Sequence, residues 1–247
     1  MCTKAGYLEP TALPEGGITP DDIAGGVHCI SPAFLRDQLR RSRSNLGLET
    51  IDVYYIHNPE AQLMFVSMHE FMKRIRRAFE CLERSASDNM IRYYGIATWD
   101  GWRSTAHRTA LSLSALAATA REVGGKGNRF RFVELPLNLS MPEARTGAVE
   151  GADSVLDVAA RLNLSVVASA TLLGARLSRN LPRHLAGFFP GLLTDAQRAI
   201  QFTRSTPGIA SALVGMTSFG HLTENLALSR VPPLSKIEYQ RLLASMY

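Results

Sequence analysis

Cysteine is scarce. The chain has three in 247 residues, Cys2, Cys29 and Cys81, odd in number and far apart. That argues against a disulfide framework, and no Cys-x-x-Cys pair suggests a redox couple or a zinc site. The six histidines include no His-Glu-x-x-His or comparable ligand spacing, so no structural metal is expected. Long apolar runs are missing as well, none approaching the roughly 18 residues that would cross a bilayer. The N-terminus carries neither a basic patch nor an extended apolar stretch, so no secretion signal is read and a reducing, cytoplasmic location is expected. A Gly-x-Gly-x-x-Gly turn after the first strand, the mark of a doubly wound dinucleotide fold, is absent. Gly124-Gly125-Lys126-Gly127 follows a helical stretch and lacks P-loop spacing, so it reads as a turn.

What is present has ordinary globular composition, with 46% hydrophobic residues and a mean hydropathy of −0.02. This is enough apolar surface for a core, and nothing in it signals disorder. The net charge is +5 and the isoelectric point about 9.3. Its basic clusters, Arg40-Arg41-Ser42-Arg43 and Lys73-Arg74-Ile75-Arg76-Arg77, fall in helix-like stretches whose apolar residues recur at Leu39, Leu46 and Leu48 and at Phe71, Ile75 and Phe79. They read as solvated helix faces, and neither a nucleic acid nor a membrane is expected as partner.

Along the chain one module repeats. Met1 to Ala5 reads as the tail of a buried strand, opening on Gly6. A turn-rich stretch to about Ser31 follows, with Pro10, Pro14, Gly16-Gly17, Pro20 and Gly25-Gly26, long enough to be a functional loop or an insertion. Ser31-Pro32 opens a helix through Leu46, which Gly47 ends. Strands are expected at 51–56, 91–97, 130–135, 164–169 and 211–214. Helices are expected at about 67–87, 113–123, 154–162, 194–204 and 219–228, with one more in the tail from Ser235 to Tyr247. Strand-then-helix alternation implies parallel strands with crossover helices. Lys4, His57, Thr98, Glu134 and Ser169 fall at C-terminal strand ends, the end where an α/β barrel gathers its active site. The expected fold is α/β: an incomplete TIM-type (β/α)8 barrel with about six parallel strands, forming a single domain over 1–247.

The strand ends carry a resemblance. Cys2-Thr3-Lys4-Ala5-Gly6, the segment from Ile51 through His57-Asn58-Pro59, and Tyr94-Gly95-Ile96-Ala97-Thr98-Trp99 resemble successive strand ends of the aldo-keto reductases. Glu134-Leu135-Pro136-Leu137-Asn138 and Leu213-Val214-Gly215-Met216-Thr217-Ser218, followed by Glu224-Asn225, resemble two further segments of the family, in the same order. The resemblance implies a barrel that binds NADPH, with NAD as the alternative, and passes hydride to the carbonyl of a small aldehyde or ketone. It implies a catalytic lysine at Lys4 and a catalytic histidine at His57. The physical logic is that a phenol near pKa 10 is a poor acid at neutral pH, and an adjacent ammonium lowers its pKa. The imidazole orients the carbonyl while the tuned phenol protonates the alkoxide.

The same resemblance implies that the chain starts at the family's third strand. The family's catalytic Asp and Tyr, from the end of its second strand and the loop beyond, would then lie before Met1. The chain is read on this basis as a truncated member with impaired reduction. Tyr7, three residues beyond Lys4, and Tyr55, in strand parity with His57, are phenols that could stand in; a loop residue and a core residue are the plainer readings. Cofactor contacts are implied at Ala97, Thr98, Glu134, Ser169, Gly215, Ser218, Glu224 and Asn225. Several depart from the family pattern: Ala97-Thr98 for Ser-Asn, Glu134 for Gln, Ser169 for an aromatic and Ser218 for an Arg. His221 offers only a partly charged substitute for that Arg. Trp99 and Trp102 could line the mouth of the cavity or pack in the core.

The competing expectation is a non-catalytic nucleotide- or partner-binding protein derived from the same barrel. An unclosed barrel leaves two strand edges open, so self-association through those edges is expected.

Overall fold

Residues 1–9, 11, 16–103 and 107–246 are described by a computed structural model of the chain. Pro10 and Pro14 of the turn-rich stretch and Tyr247 of the tail lie outside these residues. The apolar runs read above become six parallel strands: β1 (Cys2–Ala5), β4 (Ile51–His57), β5 (Ile91–Ala97), β6 (Phe130–Pro136), β7 (Ser165–Ser169) and β8 (Ile209–Ala212). They form one sheet in the order β1-β4-β5-β6-β7-β8, so each strand after β1 adds beside its predecessor, as right-handed crossovers do in a barrel. The turn-rich stretch contributes a separate antiparallel pair, β2 (Ile23–Ala24) and β3 (His28–Cys29), joined through Gly25 and Gly26.

Helices follow the strands. α1 (Pro32–Leu46) starts where Ser31 Oγ accepts the Phe34 amide and ends at left-handed Gly47, φ 64°. α2 (Met68–Ser87) buries Phe71, Ile75, Ala78, Phe79 and Leu82 along one face, leaving Arg76, Arg77 and Arg84 exposed. α3 (Leu113–Gly124), α4 (Glu143–Thr146), α5 (Val155–Arg161), α6 (Asp195–Ser205), α7 (Phe219–Leu226) and α8 (Lys236–Ala244) complete the set. The tail helix foreseen after Ser235 is α8, with Ser235 and Glu238 as its capping box. Among the described residues, no helix is long and apolar enough to cross a membrane.

Strand parity divides the sheet into two unlike faces. Tyr54, Ile56, Tyr94, Ile96, Val133, Leu135, Val166 and Ala168 face the helices and form the main core with Phe34, Phe79 and Phe130. Val53, Tyr55 and Ala97 share a small cluster with Phe132 on the other face. A second core joins Phe189, Ala199 and Phe202 with Tyr239 and Leu242 of α8.

Two expectations need correction. Met1–Ala5 is not a buried strand: β1 sits at the sheet edge, and only Ala5 in it is buried, because β4 alone pairs with it. The last strand runs from Ile209 to Ala212, two residues ahead of the expected 211–214. Thr206-Pro207-Gly208 turns tightly out of α6, with Gly208 at φ 97°, so pairing begins at Ile209 opposite Val166.

Candidate active site

The sheet register brings the polar strand ends level. His57 pairs with Ala97, and Ala97 with Glu134. Beyond the strands, Asn58 N donates to Ala97 O at 2.6 Å and Thr98 N to Glu134 O at 2.9 Å.

Lys4 and Glu134 show how far the sheet bends. Lys4 Nζ donates to Glu134 Oε1 at 3.2 Å, although β4 and β5 lie between their strands. Three strand spacings in a flat sheet would set the two backbones roughly 14 Å apart. The sheet therefore curls, and its concave side carries Lys4, Tyr55, His57, Ala97 and Glu134.

His57 is held from behind. Its carbonyl oxygen lies 2.7 Å from His28 Nε2, and Gln62 Nε2 lies 3.3 Å from His28 Nδ1. Gln62 Oε1 in turn accepts from Arg74 NH1 at 3.1 Å. One assignment satisfies every member: His28 protonated on Nε2 donates to the carbonyl and accepts from Gln62 on Nδ1. Burial pushes His28 below the ordinary imidazole pKa, which keeps this neutral tautomer. Gly6 is required beside it, because a Cβ there would meet His57 O at 2.3 Å and His28 Nε2 at 2.8 Å. Burial first, and then the charge of Lys4, push His57 itself down to about pKa 4, so its ring is neutral at pH 7.

The two stand-in phenols differ. Tyr55 is a core residue, packed with Val53 and Ala97, and burial raises its pKa away from proton transfer. Tyr7 is 40% exposed; its ring edge meets His28 and His57, and its hydroxyl accepts from Asn58 Nδ2 at 3.2 Å. Neither makes a hydrogen bond to Lys4 among the described residues, where the partner of that ammonium is Glu134.

A groove of about 860 Å3 opens over the ends of β6, β7 and β8. Of the residues singled out from sequence, Lys4, Glu134, Ser169, Gly215, Glu224 and Asn225 line it together. The rest stand apart. Ala97 is buried at the end of β5. Thr98 is buried too, and its hydroxyl accepts from Gly101 N at 2.8 Å inside its own loop. Ser218 caps α7 by accepting from His221 N at 3.2 Å. Trp99 is 43% exposed, whereas Trp102 is buried.

Two side chains at the site escaped the sequence reading. Glu60 is buried, and its Oε1 accepts from Trp99 N at 2.7 Å and Asp100 N at 3.1 Å, fixing the loop after β5. Burial raises its pKa, opposed by these donors. Its place directly after His57-Asn58-Pro59 was the available signal. Thr171 is 1% exposed, lines the groove, and has a hydroxyl without a hydrogen-bond partner. Around it Ala170, Leu173, Gly174 and Ala175 all have positive φ, 55°, 47°, 59° and 66°. No spacing in the sequence marked that loop.

An extended groove with an orphaned hydroxyl, a buried carboxylate and an ammonium at one end fits a polar, elongated guest such as a nicotinamide dinucleotide. Among its lining residues, however, there is no arginine to grip an added phosphate.

This architecture, an α/β sheet curling toward a barrel with its polar groups at the C-terminal strand ends, is that of the aldo-keto reductases. Residues 2–119 match the model of the Aldo/keto reductase family. The holo form of the aldo-keto reductase AKR11C1 from Bacillus halodurans is 17% identical, with a TM-score of 0.66, covering 99% of this chain and 72% of that one. Its apo form gives 16% identity and a TM-score of 0.58, over 86% of this chain and 68% of that one. The thermostable aldo-keto reductase Tm1743, in complex with the inhibitor epalrestat, is 16% identical with a TM-score of 0.61, over 88% of this chain and 68% of that one. No curated protein sequence matches the chain. The likeness to these structures is one of fold, and aldo-keto reductases generally use NAD(P)H.

Proposed function

We propose that the chain binds NADP(H), with NAD(H) as the alternative, and serves the hydride-transfer chemistry of a small aldehyde or ketone, with carbonyl reduction weak in this polypeptide. The observation that carries this reading is the single groove shared by Lys4, Glu134, Ser169, Gly215, Glu224 and Asn225. When bound, the dinucleotide supplies or accepts the hydride. His57, neutral and anchored through its carbonyl, can donate a hydrogen bond to a carbonyl oxygen. Lys4 supplies positive charge near the developing alkoxide. The ion pair with Glu134 supports the weakness, since that ammonium is engaged by a carboxylate and not by a phenol it could acidify.

The same ion pair favours a second reading, nucleotide binding without turnover. One experiment separates the two. NADPH fluorescence is titrated with purified chain, and oxidation of NADPH is then followed over a panel of aldehydes. Quenching with slow turnover supports the first reading, quenching without turnover the second, and no quenching removes both. Self-association is part of this proposal: β1 and β8 each pair on one side only, and light scattering on the purified chain measures it. Neither a nucleic-acid nor a membrane partner is invoked. Three free thiols, two of them buried, suit the reducing conditions of a cytoplasm.

A further inference from the structure

The two halves of the Lys4–Glu134 pair meet solvent unequally. The Lys4 side chain is 39% exposed and that of Glu134 only 9%. Water and salt screen the ammonium far more than the carboxylate, so the anion dominates the field at that end of the groove. His57 adds no positive charge there at pH 7. The other lining carboxylate, Glu224 on α7, accepts from the Thr194 hydroxyl.

We propose that Glu134 makes the site discriminate between the redox states of nicotinamide, holding the oxidised, cationic ring more tightly than the neutral, reduced one. The inference rests on the reading above, that a dinucleotide lies in the groove, and takes its nicotinamide to lie beside Lys4, the group placed there near the developing alkoxide. The two forms differ by one positive charge and hardly in shape, so contacts common to both cancel in the ratio of their affinities. What remains is the local field. A buried carboxylate beside the ring favours the cation by an amount that grows as water is excluded. A neutral amide at the same position would leave the Lys4 ammonium uncompensated and reverse the preference.

The test is the pair of dissociation constants for NADP+ and NADPH, measured by calorimetry at pH 7 on the full chain. Wild type is expected to bind the oxidised form about tenfold more tightly, the scale of one partly screened charge contact. Glu134→Gln should abolish or invert that ratio, while Glu224→Gln should move both constants together. Should Glu134→Gln not fold, Lys4→Met provides the complementary arm, and the preference for the oxidised form should then rise. Equal affinity for the two forms in wild type, unchanged by Glu134→Gln, overturns the proposal and leaves the binding reading intact. Failure of the wild type to bind either form overturns both.

Discussion

Strands β4 and β8 belong to one sheet but live under different conditions. β4 has a strand on each side and helices behind it, and five of its seven residues are buried. β8 pairs only with β7, and none of its four residues is buried. Their helices differ in the same way. α2 sinks Phe71, Ile75 and Phe79 into the main core, whereas α7 buries nothing and leaves Phe219 83% and Leu226 60% exposed. α2 has twenty residues and a charged outer face, whereas α7 has eight and no Lys or Arg. Stability in this chain is set by how many layers cover a strand, and it should be concentrated between β4 and β6.

The strongest way to break that comparison is a matched truncation. Phe79→Ala should cost about 3–5 kcal/mol in urea unfolding, since it empties a fully buried site beside Tyr94 and Phe130. Phe219→Ala should stay within about 0.5 kcal/mol. Equal losses would mean that α7 is covered in solution.

Glu60→Ala comes next, at about 2–3 kcal/mol, because it strips the acceptor from two backbone amides. Hydrogen exchange at Trp99 and Asp100 should accelerate while β8 amides are unchanged; acceleration throughout would show that the loop is not an independent unit. Gly6→Ala should cost about 1–3 kcal/mol, since its Cβ collides with the His57 carbonyl and the backbone must move. A neutral outcome would mean that the His28–His57 contact is softer than its 2.7 Å suggests.

A separate prediction concerns pH. His57 should titrate near pH 4, against an ordinary value of 6.5, when followed by NMR of its ring. His28 is lowered as well. Between those values the unfolded chain takes up protons that the folded chain refuses. Stability is therefore full above pH 6.5 and falls as the pH drops toward 4. A His57 midpoint near 6.5 would place the ring in water.

The repeating module was legible because each boundary had a local cause: Ser31 and Pro32 at the start of α1, Gly47 at its end, Ser67 before α2. The buried status expected of β1 failed because apolar character cannot say how many neighbours a strand has. Lys4 and His57 were found at strand ends by pattern. Their surroundings were not, since the Lys4–Glu134 contact joins strands that are not adjacent and depends on curvature. The hold of His28 on His57 was equally invisible, because His28 belongs to an irregular hairpin without periodicity. Thr98 shows the converse: it stands at the end of β5 as expected, yet its hydroxyl turns inward to brace a loop.

The segment after β7 has a consequence of its own. Ala170, Leu173 and Ala175 hold left-handed backbone that side chains resist, each at a cost of about 1–2 kcal/mol. Glycine at Ala175 would relax that resistance and let the segment wander. As built, the rim beside Thr171 is held in one shape at a standing energetic cost.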